Sequence, residues 1–251
     1  MTILNLPERT NQTDIARWHE PAGLNPRGTL VLLTGRGEPP EVYARFGRRL
    51  ASDAYRVLVV SAGDHTEPGV RAEIAALLDD PEVVAPVVLV GSDAGARAAL
   101  ALASDPDVEV AGLVLAGLAL EDHAAAADWP AEVEARTACP NHQQVLRRSA
   151  RGSLASAASL IRLAPAPIQA RVALPVLALH GGDDAISPLP AARRWYGRAG
   201  VAEVVVVAGG RHDILNDVSH RSVAATVVLF LERLRLGADL PLIVSPTASR
   251  P

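Results

Sequence analysis

Residues 88–97, Val-Leu-Val-Gly-Ser-Asp-Ala-Gly-Ala-Arg, carry the strongest chemical signal in this chain. An apolar, β-branched run breaks into Gly-x-Asp-x-Gly (Gly91, Asp93, Gly95) and then opens an Ala- and Leu-rich helical stretch. Strand, tight turn and helix in that order form a nucleophile elbow, which presents its middle side chain to a cleft. Serine is the usual occupant of that position, and here it is Asp93. A carboxylate does not do the chemistry of a hydroxyl: its attack on an acyl carbonyl would give an anhydride rather than a simple acyl-enzyme. Ser92 is adjacent, but a one-residue shift would move Gly91 and Gly95 off the positions that require small residues, which disfavours it as the nucleophile.

Two more candidate groups fall at the ends of apolar runs. Asp184 closes Val-Leu-Ala-Leu-His-Gly-Gly-Asp-Asp (176–184), and His212 closes Val-Val-Val-Val-Ala-Gly-Gly-Arg-His (204–212). Asp183 competes with Asp184, and the Gly-x-x-Asp spacing from Gly181 favours Asp184. Neighbouring parallel strands end on one edge of a sheet, so groups this distant in sequence can meet there. Nucleophile, acid and histidine thus follow one another in chain order.

The elements that must position them read as alternating strands and helices. Strands are expected at Leu30–Leu33, Arg56–Val60, Val87–Val90, Val110–Leu115, Val176–Leu179 and Val204–Val207. Near-continuous Val/Leu runs of this length suit strands buried on both faces of a parallel sheet. Helices are expected at Glu41–Ser52, Gly69–Leu78, Ala94–Ala103, Leu189–Ala199 and Val218–Leu236. In the last, Val223, Val227, Phe230, Leu231 and Leu234 share one face. The result is an α/β class chain with a mostly parallel, doubly wound sheet. The N-terminal 28 residues are expected to add an edge hairpin. Residues 121–171 show no strand, are rich in Ala, Arg and Ser, and are too long for a plain loop. They read as a helical cap over the active edge, between core segments 1–120 and 172–240, with 241–251 as a tail.

The chain resembles an α/β-hydrolase by the order of these motifs, over roughly residues 28–120 and 172–235. Thr-Gly-Arg-Gly-Glu-Pro-Pro-Glu-Val-Tyr (34–43) is similar to the His-Gly-x-Gly-Glu-His-x-x-x-Tyr loop of the monoglyceride lipase, lysophospholipase and serine aminopeptidase branch. Gly-Arg-His-Asp-Ile-Leu-Asn-Asp (210–217) is similar to that branch's histidine loop. The chain departs from the branch at Thr34, where the family has His, and at Asp93. Aspartate at the elbow resembles the haloalkane and haloacetate dehalogenases and the epoxide hydrolases, in which it forms an alkyl-enzyme ester that a His-activated water hydrolyses. Carried over, the resemblance makes Asp93 the nucleophile, His212 the general base and Asp184 the orienting carboxylate. It places the oxyanion hole at the N–H groups of Ala94 and of Arg36 or Gly35. The only tyrosines are Tyr43, Tyr55 and Tyr196, so the cap lacks the tyrosines of epoxide hydrolases. Ala94 stands where haloalkane dehalogenases have a halide-binding Trp, which leaves Trp129 in the cap as the candidate substrate contact.

Composition narrows the partners. The 251 residues are 49% hydrophobic and 21% charged, with a net charge of −4 and no lysine. That balance offers no electrostatic footprint for nucleic acid and excludes Schiff-base lysine chemistry. One cysteine, Cys139, excludes an intrachain disulfide, and Cys139 with His142 is too small a ligand set for a metal. No signal core or membrane-spanning run is evident, so a cytoplasmic setting is expected. Gly35-Arg36-Gly37-Glu38 lacks the Gly-Lys-Ser/Thr ending of a phosphate loop. No cofactor is expected, the partner is a small molecule, and a homodimer is compatible with the sequence. His180 is expected to pack at a strand end, His220 to be exposed, Arg36 and Arg211 to lie on the surface, and Asn216 and Asp217 to cap the last helix. The leading expectation is a hydrolase using Asp93, His212 and Asp184 on a small, largely apolar substrate. The alternatives are a carboxylic-ester hydrolase, a lyase or isomerase without a covalent intermediate, and a non-catalytic binder.

Overall fold

The computed structural model describes residues 15–61, 68–120, 128–149 and 174–245. Seven strands form one sheet: β1 (Ile15–Trp18), β2 (Thr29–Leu33), β3 (Arg56–Val60), β4 (Val87–Ser92), β5 (Gly112–Ala116), β6 (Val176–Gly181) and β7 (Glu203–Val207). Their spatial order is β1-β3-β2-β4-β5-β6-β7; β1 runs antiparallel to β3 and all other pairs are parallel. The expected edge hairpin is described as the single strand β1, its residues before 15 lying outside the described set.

The continuous apolar runs reflect burial on both faces. Within β2, Leu30 and Leu32 enter one core cluster while Val31 and Leu33 enter the other; in β4, Val88 and Val90 oppose Leu89. A period-2 alternation between two dry faces looks in sequence like no alternation at all. Helices α1 (Ala44–Ser52) and α7 (His220–Leu236) pack on the first face through Phe46, Leu50, Val227 and Phe230. On the second lie α2 (Pro68–Leu78), α3 (Ala94–Ala103) and α6 (Leu189–Ala199), represented by Ile74, Ala99 and Tyr196.

Two expectations at the edges of elements need correction. The helix expected from Glu41 is a 3-10 turn, Pro40–Tyr43, that continues into α1. The last helix starts at His220 with Ser219 at its cap, and Asn216 and Asp217 do not cap it. Asp217 instead accepts hydrogen bonds from the Thr137 hydroxyl (2.8 Å) and the Ala138 N–H (2.8 Å), fastening the inserted segment to the core. Within the expected cap, residues 128–149 form α4 (Trp129–Arg136) and α5 (Pro140–Ser149), and its remainder lies outside the described residues. Asp128 caps α4 by accepting from the Ala131 N–H at 2.8 Å. No helix among the described residues is long and apolar enough to cross a membrane.

Candidate active site

The carboxyl ends of β2, β4, β6 and β7 each deliver one part of the site. At the end of β4 the chain turns sharply and Asp93 adopts φ 54°, ψ −119°, left-handed for a non-glycine residue. Its backbone is held in this conformation from three sides: its N–H donates to the Ala116 carbonyl (3.1 Å), and its carbonyl accepts from Ala96 (3.2 Å) and Ala119 (3.3 Å). The flanking glycines are required by space. A Cβ on Gly91 would run into the Gly95 carbonyl and the Ala96 backbone, and one on Gly95 would run into the Leu33 carbonyl.

The structure brings Asp93, His212 and Asp184 together. His212 Nε2 lies 3.2 Å from Asp93 Oδ1, and its Nδ1 lies 2.8 Å from Asp184 Oδ2. Asp184 Oδ1 accepts from the N–H groups of Ile186 (2.9 Å) and Ser187 (2.8 Å), while Asp183 is exposed. His180, buried at the end of β6, stands behind the acid, 3.3 Å from Asp184 Oδ2 and 2.7 Å from the Ser187 carbonyl. Ser92 is buried in β4, where its side chain is hydrogen-bonded to the Tyr43 hydroxyl. His220 is half-buried at the start of α7.

The other oxygen of Asp93 faces the loop after β2, where the resemblance would place an oxyanion hole. Oδ2 accepts the Arg36 backbone N–H at 3.0 Å and the Arg36 Nε–H at 2.7 Å. Gly35 does not share this task, because its N–H donates to the Tyr43 hydroxyl at 2.9 Å. Ala94, first residue of α3, directly follows the elbow. Arg36 is not a surface residue: its side chain is 7% exposed and that of Asp93 is 0% exposed. Arg211 donates to the carbonyls of Glu134 and Thr137, tying α4 to the histidine loop. Trp129 begins α4, half-buried against the core cluster that holds Tyr43 and Ile214.

The sequence did not disclose the buried ion network beside this triad. Arg136, at the end of α4, reaches Glu38 Oε1 (2.7 Å), Glu132 Oε1 (2.8 Å) and the Arg36 carbonyl (3.2 Å), and lies 3.7 Å from Asp93 Oδ2. Glu38 also accepts from the Tyr43 hydroxyl, and Asp213 pairs with His142 at 3.2 Å. The i,i+4 spacing of Glu132 and Arg136 was a visible signal of a helical ion pair, but that spacing is the same on a solvated face. Glu38, His142 and Asp213 bring one ligand atom each within 4.8 Å of one another. The Arg136 guanidinium already lies between the two carboxylates, 2.7 Å from Glu38 and 3.8 Å from Asp213, and serves as the cation of that cluster.

Electrostatics set the protonation states. Burial opposes charge on Asp93, but Arg36, His212 and Arg136 outweigh it and hold the carboxyl well below its usual range. Burial likewise disfavours a charged His212, yet Asp184 and Asp93 on its two sides raise it to about 10. Both ring nitrogens face carboxylate oxygens, so both carry protons at rest. Glu38 is pushed up to about 8 by burial and by Asp213, with Arg136 opposing. At neutral pH the site therefore holds an anionic Asp93 and an imidazolium at His212.

No protein-family model matches the chain, and no curated protein resembles it in sequence. Solved structures do resemble it in fold. The monoacylglycerol lipase of Paleococcus ferrophilus superposes with a TM-score of 0.68 at 17% identity, covering 90% of this chain and 99% of the lipase. A soluble variant of the Saccharomyces cerevisiae monoglyceride lipase gives 0.70 at 14% identity, covering 88% and 91%. MenH of S. aureus gives 0.63 at 14% identity, covering 89% and 100%. The chain has the α/β-hydrolase fold.

Proposed function

We propose that this protein is a cofactor-independent hydrolase that turns over a small, largely apolar electrophile through an alkyl ester on Asp93. One observation carries the reading: the two oxygens of Asp93 are differentiated by their surroundings. Oδ2 rests on the Arg36 N–H donors, and Oδ1 faces His212 Nε2. A serine at an elbow leaves the hole empty for a substrate's carbonyl oxygen. Asp93 instead fills it with its own oxygen, the arrangement needed to hydrolyse an ester of the enzyme itself.

In the reaction Oδ1 attacks a substrate carbon and the leaving group departs with the electrons of its bond to that carbon. Esterification removes the negative charge of Asp93, one of the two that keep His212 charged, and the imidazolium releases a proton. The neutral Nε2 then takes a proton from water, whose oxygen attacks Asp93 Cγ while Oδ2 becomes the oxyanion. Collapse breaks the bond between Cγ and the esterified Oδ1. The departing alkoxide takes the proton from His212, and the new Asp93 carboxyl returns one to the imidazole. Asp184 holds Nδ1 throughout, and Trp129 supplies an apolar contact for the substrate.

A screen of halide release from 1-bromobutane, opening of styrene oxide and cleavage of p-nitrophenyl butyrate tests this reading. The wild type is expected to turn over the bromide or the epoxide, and Asp93→Asn to fall to background. Ester cleavage that survives Asp93→Asn would favour the carboxylic-ester alternative. A second reading, a non-catalytic scaffold, is favoured by a different fact: the Asp93 side chain is wholly enclosed, with both oxygens engaged.

A further inference from the structure

We propose that the Arg36 side chain is itself a catalytic residue, a charged donor to the oxyanion of the alkyl-enzyme, and this rests on the ester reading above. Backbone N–H groups suffice to form the hole that the family resemblance implies. Here the loop after β2 adds a guanidinium Nε–H at 2.7 Å to the same oxygen that the Arg36 N–H meets at 3.0 Å. The position is fixed from behind, since the Arg36 carbonyl accepts from Arg136 Nη2 at 3.2 Å and the side chain is 7% exposed. A side-chain donor can be placed in advance because the oxygen it serves belongs to the protein, not to a substrate that comes and goes.

The placement acts in opposite directions on the two half-reactions. While Asp93 is a carboxylate, Arg36 withdraws electron density from it and slows attack on carbon. Once Asp93 is an ester, water adds to Cγ, the carbonyl electrons move to Oδ2, and Arg36 stabilises the charge that appears there. A residue that merely positioned Asp93 would affect both steps in the same direction.

Rapid-quench mass spectrometry of the intact protein with 1-bromobutane and with styrene oxide separates the steps. Arg36→Met is expected to alkylate Asp93 at an equal or greater rate and to hydrolyse the ester roughly 10²–10³-fold more slowly, the usual loss for one oxyanion donor. The alkyl-enzyme should therefore accumulate. Arg36→Lys, which keeps the charge and covers the case in which Arg36→Met does not fold, is expected to recover part of the hydrolysis rate. Parallel loss of both steps, or unchanged hydrolysis, would overturn the proposal while leaving the ester reading intact. Absence of any Asp93 adduct, in wild type and variants alike, would overturn both.

Discussion

A carboxylate at the elbow sets one oxygen on the Arg36 donors and the other against His212, and the consequences spread through the neighbouring side chains. His212 lies between two anions and carries two protons. Asp93→Asn removes one anion, so His212 should titrate well below about 10; a ¹³C- or ¹⁵N-labelled imidazole followed by NMR would record the shift. Arg136 is the hub of the adjoining network, and Arg136→Met would leave Glu38, Glu132 and Asp213 without their buried cation. Breaking one partner of a buried ion pair costs about 3–5 kcal/mol, measurable by urea unfolding. Asp93, Asp184 and His212 were legible in the sequence because each ends a strand-like run. Arg136 and Glu38 were not, because sequence shows that an arginine lies on a helix but not which way that helix faces. Arg36 was anticipated as a backbone donor, and its side-chain bond to Asp93 depends on a loop path that spacing alone does not fix.

Between elements, the elbow glycines face the backbone of β2 and the start of α3 with no room for a side chain. A methyl group on Gly95 would meet the backbone of β2, and one on Gly91 would meet the start of α3. Backbone cannot rotate aside as a side chain can. Gly95→Ala and Gly91→Ala should each destabilise by about 3 kcal/mol, at the upper end for overpacking, read as a lowered urea midpoint. The strands were legible as apolar runs, and α3 and α6 were placed at their observed limits, since Ala-rich and Arg-rich helical stretches follow clear turn signals. Helix starts were harder. Asn216 and Asp217 have the residue types of a helix cap, yet Asp217 is drawn to Thr137 and Ala138 of the inserted segment. A long-range partner defeated a local propensity.

At the scale of the whole molecule, the shifted groups in and around the site combine into one pH profile. Glu38 and His212 are raised in the folded state, so each stabilises the protein on the acidic side of its titration. The Glu38 contribution is full below 4.5 and lost by about 8, and that of His212 is full below 6.5 and lost by about 10. Asp93, Asp184 and Asp213 are depressed, so their contributions are present above 3.8 and lost as pH falls. Stability should therefore peak in weak acid and decline between pH 4.5 and 10. Unfolding in urea across that range checks the decline, and His212→Gln should flatten its alkaline part. The hydrolase-like chain order and the doubly wound sheet were readable from the sequence, whereas the closed ion-pair network beneath α4 emerges only when the inserted segment is folded onto the core.

If Asp93 forms a covalent bond with substrate, a single turnover of excess enzyme with 1-bromobutane or styrene oxide in H₂¹⁸O leaves an isotopic record on the protein. Hydrolysis through the ester replaces Oδ1 with solvent oxygen, so the peptide containing Asp93 should gain one ¹⁸O while the alcohol carries ¹⁶O from the enzyme. Turnover that leaves Asp93 unlabelled and puts ¹⁸O directly into the product would show that no ester forms on Asp93.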